Sequence, residues 1–151
     1  MRSYYIGACG TKSIWHENGL NIGFGKTRGG CVLIRNNSDF VIQNGFYALN
    51  HVQMDGGCIY LLDCHYVIIR ENVFMFNKAK WGGAIYLEQC SNIWIEENRF
   101  VSNLAIRDGG AISLSGCKDV VIRKNTFRLN VAFRLGSKID IYNCERIITE
   151  F

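Results

Sequence analysis

The sequence contains no proline, no long apolar run and no cluster of basic residues, and each absence excludes a class of protein. No stretch approaches the roughly 18 apolar residues that a transmembrane helix needs. The N-terminal residues lack the sustained apolar segment of a secretory signal peptide. The 17 Lys and Arg residues are scattered along the chain, which argues against a dedicated nucleic-acid surface. We therefore expect no membrane insertion and no nucleic-acid partner.

Common metal-binding signatures are absent as well. The sequence has no Cys-x-x-Cys and no His-Glu-x-x-His pattern, and its 3 histidines are not clustered. We expect no metal site and no cofactor. The composition, with 48% hydrophobic and 20% charged residues, is that of a globular protein, and 151 residues can enclose one core. We expect a single domain over residues 1–151.

The dominant feature of the sequence is a repeat of 26 or 27 residues. Gly-Gly pairs begin at Gly29, Gly56, Gly82 and Gly109, and a degenerate copy begins at Gly136. Each pair is followed by a small residue, an aliphatic residue, an apolar triplet, an Asn and a Phe-x-x-Asn sequence. Residues 1–28 match the same template weakly. Units are therefore predicted to start near residues 1, 29, 56, 82, 109 and 136.

The apolar residues inside each unit alternate with a period of two, which indicates short β-strands. Short strands that recur at a fixed interval predict an all-β fold, a parallel β-solenoid of about five and a half coils. Equivalent side chains would then stack about 4.8 Å apart. Inward-facing aliphatic columns are predicted at Ile59, Ile85, Ile112 and Ile139, and at Leu61, Leu87, Leu114 and Ile141.

Four further columns are predicted to be structural ladders that fill the core and fix the register of the coils. An aromatic column is expected at Phe46, Phe74, Phe100 and Phe127. Two asparagine columns are expected at Asn44, Asn72, Asn98 and Asn125, and at Asn50, Asn77, Asn103 and Asn130. A cysteine column is expected at Cys64, Cys90, Cys117 and Cys144.

The 7 cysteines in so short a chain could instead indicate a disulfide framework. The column favours free thiols, because stacked side chains that point the same way are poorly placed for the disulfide dihedral angle. Reduced thiols indicate a reducing compartment or a shielded core.

Two of the repeats carry a resemblance to known families. They read Gly82-Gly83-Ala84-Ile85 with Phe100-Val101-Ser102-Asn103, and Gly109-Gly110-Ala111-Ile112 with Phe127-Arg128-Leu129-Asn130. These sequences resemble the repeats of chlamydial polymorphic outer membrane proteins and, more broadly, the pectin-lyase-like parallel β-helices. The resemblance implies a right-handed solenoid, as the rule for parallel crossovers also does. It implies a surface or extracellular location, whereas the expected free thiols imply a reducing one.

An outward-facing apolar column is the strongest functional signal. It comprises Val41, Ile68, Trp94, Val121 and Ile148. By alternation these side chains face solvent, and a sheet that is apolar on both faces is normally covered on both. We interpret the column as a protein–protein interface. A parallel column of alternating charge at Arg70, Glu96, Arg123 and Glu150 is interpreted as register design.

A polysaccharide site is the alternative. Tyr60 and Tyr86 are predicted to stack outward as a sugar platform, although cross-strand pairing alone also explains them. Candidate acids, bases and cations near the turns are Asp55, Asp63, His65, Lys80, Arg107 and Asp108. The four that lie closest to the Gly-Gly turns are Asp55, Lys80, Arg107 and Asp108. They are weak catalytic candidates, because Asp55 and Asp108 do not lie in adjacent coils and no second carboxylate pairs with either.

Two hypotheses follow from the sequence. The first is a non-catalytic scaffold or interaction module that forms a homo-oligomer or joins other protein subunits in a surface or particle assembly. The second is a carbohydrate-active β-helix that binds or cleaves an acidic polysaccharide as a lyase, hydrolase or epimerase. The first is favoured because the loops between coils are nearly constant in length and leave no insertion to form the wall of a cleft. Neither end of the sequence has an amphipathic cap, so we expect a longer solenoid or a partner at the ends.

Overall fold

The computed structural model describes residues 20–21 and 27–151. In this part of the chain every element is a β-strand, and none is a helix. Successive strands of one coil belong to different sheets. Each strand pairs in parallel with its equivalent in the next coil, and the strands inside a sheet also pair with that of the coil before. The prediction of an all-β parallel solenoid is confirmed, with roughly four turns in the described residues. Most of the predicted first unit, residues 1–28, lies outside them.

The two sheets with the longest strands, which we call sheets I and II, follow each Gly-Gly pair in that order. Sheet I contains β2 (Val32–Arg35), β5 (Ile59–Leu62), β9 (Ile85–Glu88), β13 (Ile112–Ser115) and β17 (Ile139–Tyr142). Sheet II contains β3 (Ser38–Gln43), β6 (His65–Arg70), β10 (Ser91–Glu96), β14 (Lys118–Arg123) and β18 (Glu145–Glu150).

Two sheets of shorter strands, III and IV, complete each coil. Sheet III contains β1 (Leu20–Asn21), β4 (Phe46–Ala48), β7 (Val73–Met75), β11 (Arg99–Val101) and β15 (Thr126–Arg128). Sheet IV contains β8 (Lys78–Ala79), β12 (Leu104–Ala105) and β16 (Val131–Ala132).

The Gly-Gly pair permits the sharp turn and close coil contact that precede sheet I. Gly82 has a φ of +61°, a left-handed conformation that favours glycine. The next residue, Gly83, lies directly against the following coil, because a Cβ atom added there would lie 2.2 Å from the Gly110 carbonyl oxygen. The pair therefore recurs because both its backbone angle and its lack of a side chain are needed.

The predicted aliphatic columns form the inner face of sheet I. Six of these residues have no solvent exposure: Ile59, Leu61, Ile85, Leu87, Ile112 and Leu114. In the last coil Ile139 is partly buried, and Ile141 is 44% exposed. Alternation with period two therefore located the core face of this sheet correctly.

The aromatic column fills the core beneath sheet III, with one correction to the predicted set. The stacked rings are Tyr47, Phe74, Phe100 and Phe127, with centroids 5.2, 4.9 and 5.0 Å apart. Phe46 was predicted in this column, but it pairs with Val73, and Tyr47 pairs with Phe74. Phe46 is therefore only half-buried, and the prediction for this residue was wrong.

The first asparagine ladder connects consecutive coils. Asn98 accepts hydrogen bonds from the backbone and side chain of Asn72, both 3.0 Å long. Its amide nitrogen donates to the Ile69 carbonyl at 2.8 Å and to Asn125 at 3.0 Å. Every polar atom of this buried amide is thus satisfied by a neighbouring coil.

Asn44 was predicted in the same ladder, but Gly45 occupies that place. The Gly45 backbone nitrogen donates to Asn72 Oδ1 at 2.9 Å. A Cβ atom at Gly45 would lie 2.4 Å from the Tyr47 ring, so the ring takes the space that an Asn side chain fills in later coils. Asn44 instead adopts a left-handed turn conformation with a φ of +56°.

The second asparagine ladder has the same design and matches its predicted members. Hydrogen bonds connect Asn50, Asn77, Asn103 and Asn130 in sequence, with side-chain distances of 2.8 to 2.9 Å.

The cysteine column lies at the end of each sheet I strand. The six described cysteines are free thiols. Cys90 and Cys117 donate to the carbonyl oxygens of Leu61 and Leu87 in the preceding coils, at 3.5 and 3.4 Å. Hydrogen bonds with neighbouring thiols and burial raise the pKa of Cys90. The column is therefore a set of hydrogen-bonded free thiols, buried at Cys64, Cys90 and Cys117 and half-buried at Cys144.

Candidate functional site

The outer face of sheet II carries a continuous column of apolar side chains, which we call the apolar column. The ladder register aligns its five members one above the other: Val41, Ile68, Trp94, Val121 and Ile148. Val41 and Ile148 are 48% and 52% exposed, and the three central residues are half-buried. The five residues predicted as an interface therefore lie together on one outer surface.

A polar column borders the apolar column on its C-terminal side. It contains Gln43, Arg70, Glu96, Arg123 and Glu150. Arg70 Nε donates to Gln43 Oε1 at 3.0 Å, and Arg123 Nε donates to Glu96 Oε2 at 2.9 Å. These hydrogen bonds join adjacent coils, as the interpretation as register design requires. We call this row the C-terminal flank.

A second polar column borders the other side, and sequence reasoning missed it. It contains Asp39, Tyr66, Asn92, Asp119 and Arg146, all with positive φ values between 51° and 61°. Arg146 donates to both carboxylate oxygens of Asp119, which lowers the pKa of that carboxyl. This row, which we call the N-terminal flank, lies two residues before the apolar column and could have been found by extending the alternation.

The outer face of sheet I is the second candidate surface, and here the predicted sugar platform was wrong in part. The Tyr60 and Tyr86 rings stack with centroids 5.7 Å apart. Tyr60, however, has no solvent exposure. The Arg28 guanidinium lies 5.2 Å from the centre of the Tyr60 ring. The Tyr60 hydroxyl donates to Glu88 at 2.5 Å. Contacts from neighbouring coils therefore cover one of the two rings.

Each of the two candidate acids near the Gly-Gly turns is paired with an arginine. Arg28 donates to Asp55 at 2.7 Å, and burial raises the pKa of Asp55 against the effect of this hydrogen bond. Arg134 donates to both oxygens of Asp108 at 2.9 and 2.6 Å, which lowers the pKa of Asp108. Both carboxyl groups are almost fully buried. Their ion pairs with Arg28 and Arg134 connect neighbouring coils.

The two candidate cations contact a tryptophan that sequence reasoning had not selected. Lys80 Nζ lies 4.5 Å from the Trp81 ring centre, and the Arg107 guanidinium lies 5.5 Å from it. Trp81 aligns with Asp55 in the ladder and immediately precedes its Gly-Gly pair, as Asp108 does. The repeat spacing could therefore have identified it.

Asp63 and His65 do not join this group. They flank the turn between sheets I and II, at the other end of the sheet I strands. His65 Nδ1 lies 2.7 Å from Ser91 Oγ. The six predicted candidates therefore divide between two ends of the sheet.

A pocket of 240 Å³ lies between the Trp81 turn and the last two coils of sheet I. It combines aromatic rings, carboxylates, hydroxyls and one cation; the residues that supply them are Trp81, Tyr86, Tyr142, Asp108, Asp140, Ser113, Ser115 and Arg134. Burial and the nearby Asp108 charge raise the pKa of Asp140. Tyr142 and Arg134 were not predicted, because their convergence with Trp81 depends on side-chain directions at the turn.

Within residues 20–21 and 27–151, no three His, Cys, Asp or Glu side chains are grouped so that they could hold a metal ion. The same part of the chain has no helix that is long and apolar enough to cross a membrane.

Comparison with known proteins agrees with this geometry. A family model described as a right-handed β-helix region matches residues 21–150. The chain belongs to the right-handed β-helix family. Searches of curated proteins and of solved structures give no match. The likeness of this β-helix to chlamydial polymorphic outer membrane proteins gains no support from these comparisons and stays a prediction.

Proposed function

We propose that this right-handed β-helix is a non-catalytic interaction module that self-associates through sheet II. The observation that carries the proposal is the apolar column, five large apolar side chains in unbroken register on an outer face. Sheet II also buries Val67, Ile93 and Val120 on its inner face. A sheet that is apolar on both faces is normally covered on both, so a partner surface is needed.

The contacts of the candidate acids support the non-catalytic part of the proposal. A general acid or base must reach a substrate proton in a usable protonation state. Asp55 and Asp108 instead hold Arg28 and Arg134 across coils. Their charge is used in structural ion pairs.

The expected association is weak. Five strands about 4.8 Å apart and five residues at about 3.3 Å each give a face of roughly 24 by 16 Å. This is well below the area of a standard interface, which buries about 800 Å² per partner. We therefore expect a dissociation constant in the micromolar range or above.

Solution mass by light scattering over a concentration series tests this proposal. We expect the mass of the wild type to rise with concentration and that of Trp94→Glu to stay monomeric with an unchanged circular dichroism spectrum. Phe76→Glu is the matched control, because Phe76 is also an exposed aromatic residue (53%) but lies in the turn between sheets III and IV. A monomeric wild type at every concentration would overturn the proposal, as would an oligomer that Trp94→Glu leaves intact.

A second candidate function is saccharide binding at the Trp81 pocket. Aromatic rings beside carboxylates and hydroxyls suit the apolar faces and hydroxyl groups of a sugar. Lys80 and Arg107, next to Trp81, would favour an acidic sugar, while Asp108 and Asp140 in the pocket would favour a neutral one.

Calorimetric titration with neutral and uronate-containing oligosaccharides tests this candidate, with released reducing ends measured in parallel to detect cleavage. We expect Trp81→Ala to abolish any binding and Trp94→Ala to preserve it. If neither sugar class binds, or if Trp81→Ala binds as the wild type does, the pocket is not a saccharide site.

A further inference from the structure

The outer face of sheet II is arranged symmetrically about the apolar column. The C-terminal flank lies two residues after the column in each strand, and the N-terminal flank lies two residues before it. Along the extended part of the strand, at about 3.3 Å per residue, the C-terminal flank is about 6.6 Å from the midline. A face with an apolar midline and a polar row on each side has the form of an interface that can meet its own copy.

We propose that two copies of the chain pack sheet II against sheet II around a two-fold axis parallel to the solenoid axis, so that equivalent coils face each other. This inference rests on the proposed self-association and names the partner and its orientation. The rotation places the apolar column of one copy on the apolar column of the other. It also places the C-terminal flank of each copy against the N-terminal flank of its partner.

The side chains that this rotation brings together are complementary in every coil. The facing pairs are Gln43 with Asp39, Arg70 with Tyr66, Glu96 with Asn92, Arg123 with Asp119, and Glu150 with Arg146. Two pairs have opposite charges, two join an amide donor to a carboxylate, and one sets a guanidinium against an aromatic ring. No pair has like charges, and each pair occurs twice because the interface is two-fold symmetric.

A two-fold axis along the strands fits the surface less well. Centred on the middle coil, it sets Glu96 against Glu96 and Arg70 against Arg123, which are like charges. Moved by half a coil, it pairs opposite charges but leaves an end member of the apolar column, Val41 or Ile148, without a facing coil. The parallel arrangement covers all five coils.

Two charge reversals test the orientation. In the parallel pair, Arg123→Glu sets the new carboxylate against Asp119 of the other copy, and Asp119→Arg sets the new guanidinium against Arg123, twice per dimer. We expect each variant alone to have a dissociation constant at least about tenfold above that of the wild type. A mixture of the two variants restores opposite charges at both contacts, so we expect the heterodimer to return to about the wild-type constant.

Controls separate this effect from a loss of folding or of net charge. Arg128→Glu makes the same charge change in the same coil but on sheet III, where the residue is exposed. Asp119→Asn loses the Arg146 ion pair without creating like charges. Arginine is compatible with the backbone at residue 119, because Arg146 has the same conformation one coil later, with a φ of +51°. Arg128→Glu should associate nearly as the wild type does. Asp119→Asn should weaken association less than Asp119→Arg does, because it removes the attraction to Arg123 without adding repulsion.

The outcomes distinguish the two proposals. A wild type that associates and is dissociated by Trp94→Glu, together with a variant mixture that binds no more tightly than either variant alone, would overturn the parallel two-fold and preserve the proposed function. An unchanged or tighter dimer of Asp119→Arg would do the same, since strand-parallel axes place residue 119 opposite other residues. A monomeric wild type would overturn both.

Discussion

The interior ladders and the outer columns of this β-helix follow opposite rules. Inside, a position keeps nearly one residue type through the coils, as in the stacked rings around Phe100 and the amides around Asn98. Outside, the residue type changes from coil to coil, and Arg70, Glu96 and Arg123 alternate in charge. Inside, the buried polar groups of each coil must find their hydrogen-bond partners in the next coil, which restricts the residue type. Outside, solvent satisfies polar groups, so the residue type can vary.

We therefore expect the ladders to determine stability and the outer faces to determine association. A ladder residue touches two neighbouring coils, so its loss should weaken the whole stack. A residue of the apolar column should matter chiefly for association. Measuring stability and association in variants of the ladders and of the apolar column tests this difference.

Phe100→Ala should have the largest effect on stability. Phe100 is fully buried between Phe74 and Phe127, and a Phe-to-Ala change in a core typically costs about 3–5 kcal/mol. Phe127→Ala should cost less, because Phe127 is half-buried. Urea denaturation followed by circular dichroism measures both. Equal costs would show that coil stacking does not determine the energetics of the core.

Asn98→Ala should have the next largest effect. The change removes four hydrogen bonds and takes away the acceptor of the buried Asn72 backbone nitrogen, which we expect to cost about 2–3 kcal/mol. Asn125→Ala, in the half-buried end of the ladder, is the matched control and should cost less. The same denaturation experiment measures the difference, and a loss below about 0.5 kcal/mol at Asn98 would contradict the role of the ladder.

The smallest effects are expected from two carboxyl groups of the Trp81 pocket, and they should have opposite signs. The pKa of Asp108 is lowered below 3.8 by Arg134, so its ionised form stabilises the fold above about pH 4, and this contribution disappears as the pH falls through the lowered pKa. The pKa of Asp140 is raised above 3.8, so its ionisation near neutral pH opposes folding.

Replacement by asparagine at each position tests this contrast. At pH 7 we expect Asp108→Asn to lower the free energy of unfolding and Asp140→Asn to raise it. Both differences should shrink in acid, that of Asp140→Asn as the pH falls below its raised pKa and that of Asp108→Asn only at lower pH. Differences of the same sign at pH 7, or differences independent of pH, would contradict the assigned pKa directions.

The fold could be predicted from the sequence because the repeat interval and the alternation describe almost every inward position. The two errors in the ladders have one cause. Asn44-Gly45-Phe46 imitates the Asn-x-Phe tripeptide of later coils, but it occurs one residue early. Gly45, Asn72, Asn98 and Asn125 each lie 16 residues after the first glycine of their own pair, so counting from the glycines finds the correct register.

The outer faces were less predictable, because side chains from neighbouring coils determine what they expose. Alternation correctly places Tyr60 on the outer face, but Arg28 and Glu88, which bury it, belong to other coils. The Trp81 pocket likewise depends on how turn residues lean over the next strands. The apolar column was predictable, since each of its members lies between two inward residues of its own strand.

Fluorescence of Trp94 tests the central claim that the apolar column is an interface. In a variant with Trp15→Phe and Trp81→Phe, Trp94 is the remaining tryptophan of the 3, so its emission reports this surface alone. We predict that, as protein concentration rises, the emission maximum shifts to shorter wavelength and acrylamide quenching falls, in step with the mass from light scattering. Emission and quenching that stay constant while the mass rises would place the interface elsewhere, and a constant mass would contradict self-association altogether.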